Sequence, residues 1–241
     1  MSAYALRPVH DQVVGAEPIV AVTFPPSEQE DGEAYEGAKR HFDRYVAAHP
    51  PSDGAIMKWA ATSPIDDNQI SSISRIFDLT VVGRPAHTGE GPRMTTLEAA
   101  LFDSGRPILV APPKPRATFG TNVIISWNQS MESAHTVAFG IGLLKPADKV
   151  TVLTIEGVTV TGPDGAAHCD YLAVHGIDAK ELTVPSHGRK PGLAILEEAQ
   201  KLGCDLLFKG AYTQSRLRQM ILGGATSQIL DQTTLPVFMA N

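Results

Sequence analysis

Gly210 follows the apolar run Leu206-Leu207-Phe208, and Gly223-Gly224 stand in front of a helical pattern from about Ala225 to Gln232. A glycine directly after a buried strand lets the backbone turn tightly and come close to a ligand. The first N–H groups of a helix have no partner within the helix, and together with its dipole they attract an anion. Thr226 adds a hydroxyl to that first turn. In an open parallel sheet, ligands bind at the carboxyl ends of strands where the strand order reverses. If the strand Val123 to Trp127 neighbours the strand Leu206 to Lys209, then Asn128, Gln129 and Ser130 line one crevice with Gly210 to Thr213. A phosphate-bearing ligand suits that set. Each feature also has a plainer use. Gly223-Gly224 can admit close helix–strand packing, Ser130 can cap a helix with Ser133 in its first turn, and Arg216 and Arg218 can be solvated surface charges.

The elements that must position these residues are legible as alternating patterns. In the second half, strands are expected at Val123 to Trp127, Val150 to Ile155, Glu181 to Val184, Leu206 to Lys209 and Val237 to Ala240. Ala134, Val137, Ala138, Ile141 and Leu144 recur at helical spacing, and Pro146 ends that helix. Further helices fit Gly165 to His175, a stretch opened by Pro191 at N1 and closed by Gly203 at C′, and Ala225 to Gln232. Strict alternation with continuous apolar strands predicts a parallel sheet covered on both faces. In the first half, strands fit Ile19 to Phe24, Ala55 to Ala60, Leu79 to Val82 and Ile108 to Val110. Helices fit Glu30 to Ala48, Asp66 to Phe77 and Thr95 to Phe102.

An internal echo links the halves. Asp78-Leu79-Thr80-Val81-Val82-Gly83 has the shape of Asp205-Leu206-Leu207-Phe208-Lys209-Gly210. Each is followed by an apolar-periodic stretch and a Pro-led strand, Pro107 to Val110 in one half and Pro236 to Met239 in the other. Two such units suggest a duplicated α/β domain with Ala111 to Arg116 as a stiff linker. The first copy lacks an opening strand and helix, because Met1 to Ala16 is too short and irregular to supply both.

The 241 residues are 43% hydrophobic and 19% charged, the balance of an ordinary globular chain. A net charge of −6 argues against nucleic acid held by a broad basic face and against an electrostatic membrane anchor. Cys169 and Cys204 form no disulfide framework or zinc spacing, so two reduced thiols and a cytoplasmic setting are expected. Neither a signal peptide nor a membrane-spanning run is read. His168 and His175 would lie about 10 Å apart along a helix and cannot share one ion, so no metal is expected. Trp59 and Trp127 fall in strand patterns and read as core or interface. No GxSxG elbow, Walker lysine loop or Asp/Glu–His set occurs by motif, so an enzyme is not expected.

The residues from Gly210 onward resemble the universal stress protein family, which ends with Gly, two residues, Gly, nine residues, Gly, Ser or Thr, and then a Pro-Val strand. Here Gly210, Thr213, Gly223 and Gly224 occupy that spacing, and Leu235-Pro236-Val237 closes the chain in the same way. Thr213 replaces a glycine, Gly224 replaces Ser or Thr, and Trp127-Asn128-Gln129-Ser130 stands where the family has Asp-Gly-Ser. The resemblance implies two adenine-nucleotide alpha-hydrolase-like (Rossmann-like) parallel-sheet α/β domains. Residues 1–116 would form a truncated one and residues 117–241 a complete one. It further implies a stress-response protein with an ATP or other adenine-nucleotide site at Asn128, Gln129, Ser130, Gly210, Thr213, Gly223, Gly224, Ala225 and Thr226, and self-association or intramolecular pairing through the Pro-led terminal strands. Two rival readings stay open: an interaction or dimerisation module without a nucleotide, its crevice filled by Tyr212 and Gln129, and a weak nucleotide hydrolase.

Overall fold

The computed structural model describes residues 1–6, 10–14, 20–24, 28–51, 54–85, 92–211 and 224–241, with backbone only at 10–14, 20–24, 28 and 30. The chain divides into two compact units, Met1–Ile70 and Ser71–Asn241. The boundary expected between 116 and 117 falls within the second unit. Compactness draws its line earlier, because strands from both sides of 116 share one sheet in the second unit.

In the first unit, β1 (Ser2–Ala3) pairs in parallel with β4 (Lys58–Trp59). The pairing continues irregularly, with the Ala60 N–H donating to Ala3 O at 3.0 Å and that of Ile65 to Ala5 O at 2.8 Å. The segment expected to be irregular thus supplies a strand. β2 (His10–Val14) and β3 (Val20–Phe24) form a separate antiparallel pair, so the strand expected at Ile19 to Phe24 exists but does not join a parallel sheet. Helix α1 (Glu28–Ala48) packs on β4 through Trp59. The indole lies 5.6 Å between centroids from both Tyr35 and Phe42, and its Nε1–H donates to the Tyr35 hydroxyl at 3.0 Å. Helix α2 (Asp67–Ser74) begins as the expected 66–77 helix does, and its tail ends in turns.

The second unit is built on a seven-stranded sheet. Its elements in chain order are β5 (Thr80–Gly83), α3 (Met94–Phe102), β6 (Ile108–Ala111), β7 (Asn122–Ser126), α4 (Met131–Leu144), β8 (Lys149–Ile155), α5 (Gly165–Val174), β9 (Ala179–Val184), α6 (Pro191–Lys201), β10 (Leu206–Lys209), α7 (Ala225–Gln232) and β11 (Val237–Met239). The strand order is β5-β6-β11-β10-β7-β8-β9. Every neighbouring pair is parallel except β11 with β6, which run antiparallel with Phe238 opposite Leu109. The Pro-led strands expected to pair the halves or to dimerise therefore pair inside one chain, and neither keeps a free edge.

From β7 the chain steps outward to β8 and β9, then returns past β7 to β10 and β11. Right-handed crossovers put α4 and α5 on one face of the sheet and α6 and α7 on the other. The apolar strands are buried on both faces, Val123, Ile124 and Ile125 being 1% exposed or less. Gly140 lets α4 settle on the sheet, since a Cβ there would lie 2.1 Å from the ring of Phe208. The expected α/β, Rossmann-like parallel architecture is thus present in full from β7 to β11.

Candidate functional site

β7 and β10 are neighbours, with Ser126 opposite Lys209, and the winding reverses between them. Their carboxyl ends open the crevice in which an α/β sheet binds ligands. Asn128, Gln129 and Ser130 continue from β7, Gly210 continues from β10, and Gly224, Ala225 and Thr226 open α7. Thr213 and Gly223 lie outside the described residues, as do Tyr212, Arg216 and Arg218.

Gly210 has a mechanical role. A Cβ there would stand 2.4 Å from Ser133 N and 2.7 Å from Glu132 C. Its backbone therefore rests on the first turn of α4, and any side chain would force strand and helix apart. Ser130 is the N-cap of that helix, accepting from Ser133 N–H at 3.3 Å, while the Ser133 hydroxyl donates back to Ser130 O at 2.8 Å. The plainer use of Ser130 is thus realised.

Gln129 sits at φ 68°, in the left-handed region that favours glycine. For a side-chain-bearing residue that conformation costs about 1–2 kcal/mol, and local hydrogen bonds offset it. With the amide oriented to donate, Gln129 reaches Val160 O at 2.8 Å and Gly162 O at 3.1 Å. The Val160 N–H donates to Asn128 O at 3.1 Å, and a Cβ on Gly162 would meet Gln129 O at 2.4 Å. The segment after β8 is in this way latched onto the exit of β7.

At α7 the N-cap Gly224 has φ −63° and offers no side-chain cap. The first-turn amides of an eight-residue helix thus lack a hydroxyl or carboxylate from the N-cap position. That turn is seated on α6, where Gly192 admits Ala225 O closely and its N–H donates to Gln228 Oε1 at 2.9 Å. Thr226 is buried.

One residue of the crevice is absent from the set expected from sequence. Lys209, the last residue of β10, is only 6% exposed, and its Nζ donates to Gly210 O at 2.5 Å. Phe208 faces α4, so strand alternation turns Lys209 toward the face of α6 and α7. Burial pulls its pKa down to about 8, against a smaller upward pull from Glu132. No ion-paired carboxylate for it occurs among the described residues. The internal echo contains the signal, because Lys209 aligns with the apolar Val82.

Among the described residues there is no cluster of three or more His, Cys, Asp or Glu side chains that could hold a metal. No described helix is long and apolar enough to cross a membrane. Both cysteines are free, and burial, reinforced by Asp205, pushes the Cys204 thiol up to about 11, which leaves it a poor nucleophile.

The sequence profile of the universal stress protein family matches residues 132–241. A curated relative, universal stress protein Slr1230 of Synechocystis sp., is 27% identical over 173 residues. That match spans 67% of this chain and 57% of the relative. The crystal structure of a universal stress protein from Archaeoglobus fulgidus DSM 4304 superposes with a TM-score of 0.69 at 15% identity, covering 90% of this chain and 80% of that one. A functionally unknown protein from Pseudomonas aeruginosa PAO1 gives 0.51 at 13% identity, over 85% and 77%. The last two show a shared fold. The family's sequence profile thus matches residues 132–241, and the solved structures share the fold over most of the chain.

Proposed function

We propose that the protein is a stress-response binding protein, without efficient catalysis, that takes ATP or another adenine nucleotide in the crevice between the ends of β7 and β10. Lys209 carries this reading. Burying a cation is costly unless it is compensated, and among the described residues this one donates to a backbone carbonyl and has no ion-paired carboxylate. A phosphate entering beside Gly210 would supply the missing negative charge, and the uncapped amides of α7 add donors of the same sign. The cytoplasmic setting expected from the two free thiols accords with such a ligand.

Calorimetric titration of the full chain with ATP and Mg²⁺ is the test. The expected result is saturable binding that Lys209→Met weakens by about 10- to 100-fold, the worth of a charge-assisted hydrogen bond. No heat and no thermal stabilisation at millimolar ATP would remove the nucleotide. One observation favours the rival reading of a ligand-free interaction module: the Gln129 latch spends the exit of β7 on the protein's own 160–162 segment. Phosphate release above a no-protein control would point instead to a weak hydrolase.

A further inference from the structure

Trp127 turns away from the crevice and under α4 and α5, its Nε1–H donating to Pro163 O at 2.9 Å. Above it, the two helices present small residues to one another. Ala134 and Ala138 are one turn apart on α4, and Ala167 stands opposite on α5 beside His168 and Tyr171. Because no long side chain bridges the helices there, a groove of about 360 Å³ remains, within the roughly 300–1,000 Å³ range of small-molecule sites. One side of it is an aromatic stack. The His168 ring stacks on Trp127 at 3.8 Å and 11°, and Tyr171 continues the stack at 5.6 Å and 19°.

His168 supplies the second observation. It is 5% exposed, and its Nε2 has no hydrogen-bond partner. A buried polar atom without a partner costs about 1–3 kcal/mol, so a polar edge brought to this ring would be favoured. Burial lowers the pKa of His168 to about 4, which leaves the ring neutral near pH 7, able to make one hydrogen bond but bearing no charge. Aspartate, glutamate, lysine and arginine are all missing from the lining. Apolar walls, an aromatic stack and the unpartnered Nε2 of His168, with His135 as a second imidazole in the lining, together select the ligand class.

We infer that this groove binds an uncharged planar heteroaromatic molecule of one or two rings, inserted between α4 and α5 against the Trp127–His168–Tyr171 stack and hydrogen-bonded to His168. The site lies on the α4/α5 face and is separate from the crevice between β7 and β10.

Benzimidazole is a suitable probe, since its ring carries one N–H donor and one acceptor and so suits either tautomer of His168. Binding to the full chain is measured by calorimetry and by saturation-transfer NMR, with and without saturating ATP. The expected result is saturable binding that ATP leaves unchanged. Ala138→Leu, at an exposed position, fills the groove and weakens binding at least about tenfold. His168→Phe keeps the stack, loses the nitrogen and weakens binding by about 3- to 10-fold. Thermal melts of both variants establish that they fold. No saturable binding by the wild type, equal affinity in either folded variant, or displacement by ATP would each overturn the inference. None of these outcomes bears on whether ATP itself binds the crevice, so the two readings fail separately.

Discussion

Asp78 to Gly83 and Asp205 to Gly210 share one sequence figure, yet their surroundings differ at most positions. In β10 all four strand residues are buried, whereas in β5 only Val82 is. Phe208 is fully enclosed, but Val81, at the same place in the figure, is 60% exposed. Asp205 is buried and accepts from the Thr121 N–H, the Thr121 hydroxyl and the Asn122 N–H at 3.2, 2.6 and 3.0 Å, while Asp78 is exposed. A Cβ on Gly210 would strike the backbone of α4, and one on Gly83 would strike the side chain of Pro92. One cause accounts for all of this. β10 has β7 and α4 beside it, and β5 is the edge of the sheet. A repeat thus carries its local pattern with it, and the neighbours decide how strongly each residue of the pattern is held.

The largest expected contrast is Phe208→Ala against Val81→Ala. Emptying the Phe208 site removes contacts with Gly140 and with the stacked Phe238 ring, 4.7 Å away. Large-to-small changes of this kind cost about 3–5 kcal/mol, which for a chain of this size lowers the melting temperature by very roughly 6–20 °C. Val81→Ala should stay within about 0.5 kcal/mol. Thermal or urea unfolding of the two variants decides this, and equal losses would mean that β5 is covered as fully as β10.

Lys209 against Val82 sharpens the comparison from the side of charge. A lysine whose folded pKa is about 8, below an ordinary 10.4, binds protons less readily in the folded state. Stability should therefore rise as pH climbs from about 8 to about 10.4, by up to about 3 kcal/mol, and the cost should be fully present below pH 8. Lys209→Met should abolish that rise and be the more stable protein at pH 7, in the absence of ligand. Denaturant midpoints across that pH range measure both effects. A rise that persists in Lys209→Met would assign it to another group.

These contrasts also explain what was legible beforehand. Val123 to Trp127, Leu206 to Lys209 and the helix that opens at Pro191 and closes before Gly203 were readable because apolar runs, Pro191 and Gly203 are local signals. The meeting of Asn128, Gln129 and Ser130 with Gly210 was conditional on β7 and β10 being neighbours, which alternation alone does not fix and the strand pairing supplies. What escaped reading depends on distant parts of the chain. The pairing of β1 with β4 joins Ser2 to Lys58 through a few residues with no repeating pattern. The Gln129 latch needs the 160–162 segment, and the left-handed Gln129 is disguised because glycine is the usual signal for that conformation. Lys209 was visible as a charge ending an apolar strand, but only the comparison with Val82 gives that charge its meaning.

Asp205 against Asp78 is the smallest of these contrasts and the one with a pH signature. Burial alone would raise the Asp205 carboxyl, but the donations from Thr121 and Asn122 outweigh it and hold the group below its ordinary value. The folded state therefore favours the carboxylate. That contribution is fully present above an unfolded pKa of about 3.9 and is lost as pH falls through the folded value. Asp205→Asn keeps the shape but turns an amide toward groups that already donate, so it should cost about 2 kcal/mol at pH 7. Asp78→Asn should change stability by less than about 0.5 kcal/mol. As pH is lowered below about 4, the wild type should lose its advantage over Asp205→Asn. Urea midpoints of the three proteins at neutral and acidic pH test this. A gap between wild type and Asp205→Asn that does not narrow in acid would show that geometry, and not the carboxylate charge, ties the start of β7 to the start of β10.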